Sequence, residues 1–483
     1  MTDPLELRDE LTDALVRAAA GATEYVTALH DDPVLAQGAE DVARSLDGDL
    51  PEDGDGALVA LAELLELARS GATRSSGPRY FHFVMGGTTP ASLGADWVTS
   101  ALDQVAYSWA SSPLASSLEV LSIEWLRELF ELPDGFAGVL TTGATMANYT
   151  ALAAARGWWA EHHGVDVEER GLGGLPAAPI LTSGYIHPSA VQALGMLGLG
   201  RSNVRRLERD GVGRIDLDGL ESALDELEGK PAIVIANAGE VNAGDFDPIA
   251  AIADLAARHE AWLHVDGAFG LFGRLAPETR ALTDGIERGD SVISDGHKWL
   301  NVPYDCGFAF VREPERLAKA FTVGAPYLPS PDDPRPSPGF LGPENSRRAR
   351  AFAVWATLRA YGRSGYRAMV ERHLGLAQRL AARVDEAPEL ERLAEVPLNI
   401  VCFRVHPPGA AEQDLDELNS RLGEALLRDG RVFAGTTTYD GKVAFRPAIV
   451  NWQTTESDVD LLIDVLRELV RADLTASRDP RAR

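Results

Sequence analysis

The amino-acid sequence predicts an α/β fold in which a mainly parallel sheet lies between helices. Three observations support this prediction. Short apolar runs with strand character recur after about residue 75, helical periods separate several of them, and 45% of the 483 residues are apolar. Buried parallel strands read as continuous apolar runs, and helices form the crossovers between them. The chain is also too long for one ordinary domain, so two or three are expected.

The strand-like runs define the predicted sheet. They are GVLTT, PILTS, AIVIANA, AWLHVDGAF, DSVISD and GFAFV. Helical periods lie between several of these runs, in ANYTALAAARGWWAEHH, LDGLESALDEL and IAAIADLAARHE. This alternation favours a mainly parallel sheet with helices on both faces.

The two ends of the chain differ from this central pattern. Residues Leu5 to Leu29 and the segment ALVALAELLELARSG, which ends at Gly71, read as helices with little bulk of their own. A long helix is predicted from Ser346 to Tyr361, followed by a small α+β region with the strands NIVCFRV and KVAFRPAIV. We therefore expect an N-terminal helical segment (1–74), a large domain (75–355) and a small C-terminal domain (356–483).

Composition excludes several classes of protein. The formal charge is −28, which repels nucleic acid and anionic membranes, although the acidity also serves solubility. Two cysteines, Cys306 and Cys402, do not make a disulfide framework. The N-terminal stretch lacks a signal-peptide pattern, and no apolar run is long enough for a membrane span. We expect a reducing, cytoplasmic setting, with no nucleic-acid or membrane partner.

One lysine is unusual because the chain carries nearly all its positive charge on arginine. Of 45 basic residues only four are lysine, and Lys298 lies in SDGHKWLNVPYD, between an apolar run and Trp299. A lysine in a half-buried loop can lose its proton and act as an amine nucleophile, whereas arginine stays charged. The alternative is a surface charge, which fits Lys230 and Lys442 better.

An acidic residue upstream of this lysine indicates a cofactor. The segment AWLHVDGAFG places Asp266 at the C-terminal end of a predicted strand, at the edge where parallel sheets bind ligands. A buried carboxylate there needs a positive partner. Pyridoxal 5'-phosphate (PLP) has one in its protonated ring nitrogen, and its aldehyde forms a Schiff base with a lysine. A loop cap would explain Asp266 alone, but not its pairing with Lys298.

Two further segments complete the predicted cofactor site. In GVLTTGATMANYTAL a strand ends in a tight turn at Gly143, and Ala144 and Thr145 begin a helix whose free N–H groups attract a phosphate. His187, in SGYIHPSA, follows another strand-like run and is placed to stack on a cofactor ring. A lone histidine is more often a structural hydrogen-bonding residue. The order of phosphate turn, stacking residue, aspartate and lysine, each after a strand, favours PLP.

The chain also resembles the group II PLP-dependent decarboxylases, which include the aromatic L-amino-acid, histidine and glutamate decarboxylases. The resemblance covers nearly all of the chain beyond about residue 75, and its segments occur in the family's order. They include PRYFHFV, SSPLASSLEVLSIEWLRELFELP, GVLTTGATMANYTALAAARG, HPSA, DFDPI, HVDGAFG, DGHKWLNVPYD, PYLP and RRARAFAVWATLRAYG. It implies PLP fold type I, with a mainly parallel sheet of the seven-stranded type, and a homodimer with the active site at the subunit interface.

The resemblance assigns roles to individual residues. Lys298 matches the Schiff-base lysine, Asp266 the partner of the ring nitrogen, and His187 the stacking histidine. Tyr327, in the proline-rich segment 325–343, matches a mobile-loop tyrosine that protonates Cα after CO2 leaves. The other implied cofactor-binding residues are Ala144, Thr145, Asn237, Ala268, Asp295 and His297. No metal site is predicted.

The implied activity is decarboxylation of an L-amino acid to the amine and CO2. The pocket selects this reaction by holding the Cα–carboxylate bond perpendicular to the cofactor ring. We expect an aromatic or bulky aliphatic substrate, because the segment FVMGG, which would line the side-chain pocket, has no arginine for an acidic one. Two alternatives stay open. One is another PLP reaction, namely aldehyde synthesis, transamination or cleavage of a phosphorylated amine; the other is a non-catalytic PLP-binding module.

Overall fold

The centre of the molecule is a seven-stranded sheet with the order β1-β7-β6-β5-β4-β2-β3. The structure is a computed structural model that describes residues 3–330 and 332–476. All strands run parallel except β7, which is antiparallel to β1 and β6. This confirms the predicted mainly parallel sheet. The strands are β1 Ala137–Thr141, β2 Ile180–Thr182, β3 Val204–Arg206, β4 Ile233–Asn237, β5 Trp262–Asp266, β6 Ser291–Asp295 and β7 Gly307–Val311.

Each face of this sheet has its own apolar core, because neighbouring residues of a buried strand point to opposite sides. Ile233 and Ile235 of β4 pack into one core, while Val234 and Ala236 pack into the other. The helices of the N-terminal and central parts are α1 Leu11–Ala28, α2 Ala39–Arg44, α3 Ala57–Gly71, α4 Pro90–Leu102, α5 Pro113–Leu129, α6 Ala144–Glu161, α7 Val167–Arg170, α8 Pro188–Met196, α9 Leu217–Asp225, α10 Ile249–Arg258 and α11 Pro314–Phe321.

A second, antiparallel sheet lies near the C-terminus, with the order β10-β11-β9-β8. Its strands pack with three helices around a separate apolar core. The elements of this part are β8 Leu390–Arg392, β9 Phe403–Val405, α13 Glu412–Asp429, β10 Thr436–Tyr439, β11 Lys442–Phe445 and α14 Glu456–Ala476.

Helix α12, Ala351–Asp385, joins the two sheets. The predicted start, Ser346, was too early, since the helix begins at Ala351. The predicted end, Tyr361, is the last residue before a break, because Gly362, at φ 60° and ψ −175°, interrupts the helical backbone. Glycine adopts this conformation without the steric cost of a side chain. A second helical stretch then continues to Asp385, which the prediction did not include. The domain limits after residues 74 and 355 stay proposals, and the second lies inside α12.

The N-terminal segment forms helices that pack mainly on one another. The predicted helix from Leu5 begins as a 3-10 turn, Pro4–Glu10, before α1, and α3 has its predicted limits. Leu11, Leu15 and Leu64 leave more than half of their surface exposed. Within residues 3–330 and 332–476, no helix combines the length and apolarity needed to cross a bilayer.

Candidate active site

Polar side chains gather where several strands of the large sheet end. Asp266 and Asp295 are the last residues of the neighbouring parallel strands β5 and β6. Strand β1 runs in the same direction, since both it and β6 are antiparallel to β7, so Gly143 follows its end at the same edge. This edge is where parallel sheets place their ligands. It brings together the predicted aspartate, the lysine loop and the predicted phosphate turn.

Asp266 is buried and receives hydrogen bonds on both carboxylate oxygens. The side-chain amide of Asn148, on α6, donates to Oδ2 at 3.0 Å, and the backbone N–H of Ala268 donates to Oδ1 at 3.1 Å. Donors of this kind stabilise the ionised form of a carboxylate. An ionised Asp266 is the partner that a protonated ring nitrogen requires.

A chain of buried hydrogen bonds fixes the orientation of Asn148. Its Oδ1 lies 2.8 Å from Nε2 of His264, and Nδ1 of His264 lies 2.8 Å from the hydroxyl of Ser291. That hydroxyl accepts a hydrogen bond from the indole of Trp262 at 3.0 Å. Burial lowers the pKa of His264 to about 4, against a weaker opposing effect of Asp266.

The donor and acceptor of each of these hydrogen bonds can be assigned by starting at Asp266. Asn148 donates to Asp266 through its amide nitrogen, so its oxygen must accept the N–H of His264. The imidazole is therefore the neutral tautomer with its proton on Nε2, and the Ser291 hydroxyl donates to Nδ1. We call this set, Trp262, Ser291, His264 and Asn148, the Asp266 relay. It is a continuous series of donors aimed at Asp266.

His187 caps helix α8 and lies within the electrostatic influence of Asp266, Lys298 and Asp295. Its Nδ1 accepts the backbone N–H of Ser189 at 3.2 Å and lies 2.7 Å from the Ser189 hydroxyl. The residue is exposed to solvent in this single chain. Burial of the ring lowers its pKa, with Asp266 opposing this effect. The ring is therefore neutral near pH 7, with its proton on Nε2.

Lys298 lies in a π-helical turn, Gly296–Leu300, directly after β6. Such turns are rare and occur often at functional sites. The lysine side chain is 16% exposed, and its Nζ lies 3.0 Å from Oδ2 of Asp295 and 5.7 Å from the ring centre of Phe269. The amine is therefore held at the sheet edge rather than free on the surface.

The start of α6 has the properties of an anion-binding site. The helix begins after Gly143, and no side chain of the described residues caps its first N–H groups. An added Cβ on Gly143 would lie 3.5 Å from Cε1 of His297 and 3.6 Å from Oδ1 of Asp295. The imidazole of His297 stacks on Tyr304, with its Nδ1 2.9 Å from the carbonyl oxygen of Cys306.

These residues fit PLP. The uncapped turn at Ala144 and Thr145 can hold the phosphate, Asp266 can pair with the ring nitrogen, and Lys298 can bind the aldehyde. Ala268 lies between Asp266 and β6, because its carbonyl oxygen accepts the backbone N–H of Asp295. The assigned roles stay predictions, and the geometry favours them.

Asn237 and Tyr327 are placed differently from the other predicted residues. The amide of Asn237 donates to Asp247 at 2.9 Å and to Ser183 at 3.1 Å, so protein groups hold its side chain. Tyr327 is 85% exposed, and its phenol influences Tyr107 instead of the lysine loop. The cofactor role of Asn237 and the proton-donor role of Tyr327 therefore stay predictions.

Sequence reasoning missed polar residues that the fold brings from a distance. Arg446 follows β11, yet its charge acts on His187, His82 and Glu240. Its Nη1 and the Nδ1 of His82 are buried without a hydrogen-bond partner in the described part of the chain. Asn148 also went unnoticed, although a fully buried asparagine among alanines in the first turns of a helix is a usable signal.

The fold and this site together define a PLP enzyme of fold type I. The family model described as "Pyridoxal-dependent decarboxylase conserved domain" matches residues 40–406, which is more than half of the chain. The chain belongs to the pyridoxal-dependent decarboxylase family, as its resemblance predicted.

Similar proteins cover nearly the whole chain. The aromatic-L-amino-acid decarboxylase of Bacillus atrophaeus is 30% identical over 468 residues, which are 95% of each protein. The acidic amino acid decarboxylase GADL1 of Mus musculus is 30% identical over 83% of this chain and 75% of its own length. The crystal structure of Oryza sativa TDC with PLP and tryptamine has a TM-score of 0.88 and 26% identity, covering 97% and 99% of the two chains.

Proposed function

We propose that this enzyme decarboxylates an L-amino acid with an aromatic or bulky aliphatic side chain, releasing CO2 and the primary amine. The observation that carries the proposal is the meeting of Lys298, Asp266 and His187, from three separate segments, at one edge of the sheet. A lysine, a carboxylate and a flat neutral ring are the groups that PLP chemistry requires. Membership of the decarboxylase family supports the reaction type.

Each residue of the site has a different proposed role in the reaction. PLP, when bound through Lys298, supplies a ring that withdraws electrons and so stabilises negative charge at the substrate Cα. Asp266, which accepts hydrogen bonds from Asn148 and Ala268, keeps a lone pair for the ring N–H. His187 presents an uncharged ring and does not add a second positive charge to the site. We assign proton return at the substrate Cα to Tyr327, which requires the segment 325–343 to close over an active site.

The substrate class rests on the segment FVMGG, which has no arginine to pair with an acidic side chain. The buried Arg446 does not decide it. Burial lowers the pKa of its guanidinium, and the nearby Glu240 opposes this change. Burial also raises the pKa of Glu240, although the backbone N–H groups of Asn242 and Ala243 oppose this effect. Nη1 of Arg446 has no hydrogen-bond partner in the described part of the chain, so this guanidinium can also receive a carboxylate.

We also propose a homodimer in the cytoplasm. The exposed apolar residues of α1, α3 and α4 form faces that a second copy would cover. The exposed position of Tyr327 fits a flap that acts on the partner's site. Both cysteines, Cys306 and Cys402, are unpaired and buried, which suits a reducing compartment. Light scattering of the PLP-loaded enzyme tests the dimer, and a monomer that is fully active would contradict it.

The decisive experiment measures products from a panel of amino acids. The purified enzyme, supplied with PLP, is assayed for CO2 and primary amine and, in parallel, for aldehyde, peroxide and keto acid. We expect CO2 and amine in equal amounts from tryptophan, tyrosine, phenylalanine or leucine, and much lower rates with glutamate and aspartate. Faster turnover of the acidic amino acids would overturn the substrate class, while aldehyde or keto acid as the main product would overturn the reaction.

A further inference from the structure

Two buried carboxylates occupy the same sheet edge in unequal surroundings. Asp266 has a donor on each oxygen, whereas Asp295, at 2% exposure, has only one oxygen in contact with a charge. That oxygen, Oδ2, lies 3.0 Å from Nζ of Lys298. The other, Oδ1, is buried and accepts no hydrogen bond from the described residues. Buried polar atoms are nearly always satisfied in native proteins, so a bare carboxylate oxygen indicates a partner from outside the chain.

The bare oxygen lies at the predicted phosphate turn. It is 3.6 Å from the position of an added Cβ on Gly143, the residue before α6. The first N–H groups of α6 are the ones proposed to hold the phosphate. A phosphate in that turn would therefore lie beside the carboxylate of Asp295, which is an unusual neighbour for an anion.

The surrounding groups do not neutralise this like-charge contact. His297 has its Nδ1 3.6 Å from Oδ1 of Asp295, but burial lowers the pKa of this imidazole, and that of His187, so both are neutral near pH 7. Burial raises the pKa values of Tyr304 and Cys306, which keeps them uncharged too. The cation that pairs with Asp295 is Lys298, through Oδ2, and its amine would be taken into the bond with the PLP aldehyde.

We propose that Asp295 is a counter-charge in the phosphate turn, with two consequences. In the cofactor-free enzyme it holds the amine of Lys298 in position. When PLP binds, its carboxylate and the phosphate share one proton, which is taken up from solvent because the second phosphate ionisation lies near pH 6. An O–H donated by one anion to the other replaces repulsion by a hydrogen bond. Asp295 thus makes PLP binding weaken as the pH rises, and this inference depends on the family's cofactor rather than on decarboxylation.

The test compares PLP with pyridoxal, which has the same aldehyde and ring but no phosphate. Both affinities are measured by equilibrium dialysis for wild type and Asp295→Asn. The substitution removes the ion-pair partner of Lys298, which affects the binding of both PLP and pyridoxal. The ratio of the two affinities therefore reports the effect on the phosphate alone. We expect the preference for PLP over pyridoxal at pH 8 to rise about tenfold in Asp295→Asn, because a like charge becomes an amide donor. An unchanged or lower preference would overturn the proposal.

A matched control and a measurement on the unmodified enzyme guard against misfolding. Asp305 lies on the same loop, but its carboxylate pairs with Arg350 at 2.7 Å, so Asp305→Asn should keep the wild-type preference. If Asp295→Asn does not fold, the wild type alone decides the question. Its preference for PLP over pyridoxal should fall about tenfold between pH 6 and pH 8. A preference that is constant or rises over this range would contradict the shared proton.

Discussion

The predicted floor of the active site and the segment proposed as its flap are built in opposite ways. The floor, formed by the ends of β5 and β6 with the Asp266 relay, is buried and held by side-chain hydrogen bonds between 2.8 and 3.0 Å. The flap, residues 325–343, is rich in proline and carries Tyr327 with 85% of its side chain exposed.

This difference suggests a separation of roles, in which the floor holds the cofactor and the flap returns a proton to the substrate Cα. The floor is complete within one chain, so the geometry for PLP exists before any substrate arrives, which lowers the cost of binding. Tyr327 in the flap is largely exposed. Proton transfer from this tyrosine therefore requires the flap to close or a second copy of the chain to be present. Variants of the floor should therefore damage cofactor binding and turnover, whereas variants of the flap should leave cofactor binding intact.

Replacement of Lys298 should cause the largest loss of turnover among these variants. In Lys298→Ala the covalent anchor and its amine are both lost, so turnover should fall by about four orders of magnitude or more. Borohydride reduction followed by mass spectrometry should attach the cofactor to residue 298 of the wild type and leave the variant unlabelled. Labelling of another lysine, such as Lys319, would contradict the assignment.

Asp266→Asn tests the partner of the ring nitrogen. An amide cannot balance a ring proton as a carboxylate does, so kcat should fall about 10³-fold with a smaller change in KM. The ring nitrogen of 15N-labelled PLP should become unprotonated in the variant, which NMR reads directly. Asp247→Asn serves as a control, because Asp247 is also buried but contacts Asn237 and Ser183.

Tyr327→Phe tests the flap. Removing one general acid should lower amine formation about 10²-fold, while PLP affinity stays at the wild-type value. Aldehyde and hydrogen peroxide, formed with dissolved O2, should appear among the products when Cα is no longer protonated. The phenol of Tyr107 lies nearby and is the control, and Tyr107→Phe should retain amine formation. Equal losses in both variants would place the proton donor elsewhere.

His264→Phe weakens the floor without touching the cofactor. With the imidazole gone, the oxygen of Asn148 loses its donor, and the amide is free to turn that oxygen toward Asp266. We expect kcat to fall about 10-fold, and the ring nitrogen of bound PLP to lose part of its proton. His264→Gln, which can restore one donor, should recover part of the loss. No change in ring protonation would mean that His264 has a packing role only.

The smallest expected effect is on stability. His264 has a pKa of about 4 in the folded chain against 6.5 when unfolded, so the unfolded chain takes up the proton first as the pH falls. Stability therefore decreases below pH 6.5, by about 2 kcal/mol between pH 7 and pH 5 from this residue. Asp247, with its pKa raised to about 6, acts in the opposite direction over part of this range. Urea unfolding of wild type and His264→Phe at both pH values measures the contribution of this histidine. The fall in the free energy of unfolding between pH 7 and pH 5 should be smaller in the variant by this amount.

Sequence patterns predicted the residues of the floor, but they did not predict the residues that hydrogen-bond to them or act on them by charge. Lys298 and Asp266 follow apolar strand-like runs, and strand ends at one edge of a parallel sheet must lie close together. The relay required Asn148 on α6 to meet His264 on β5, a contact across 116 positions that no local pattern contains. Arg446 was missed for the same reason, because the small sheet carries it to His187. The predicted end of the long helix at Tyr361 coincides with the break at Gly362, whereas the second stretch of α12 beyond it was not predicted.

The arrival of Arg446 from the C-terminal sheet has a consequence for how such an enzyme can change. The family match ends at residue 406, and every predicted cofactor ligand lies before that point, whereas Arg446 lies 40 positions beyond it. The predicted cofactor contacts and the guanidinium that acts on His187 thus come from different stretches of the polypeptide. Substitutions near residue 446 can change the charge beside His187 while the predicted cofactor contacts keep their sequence.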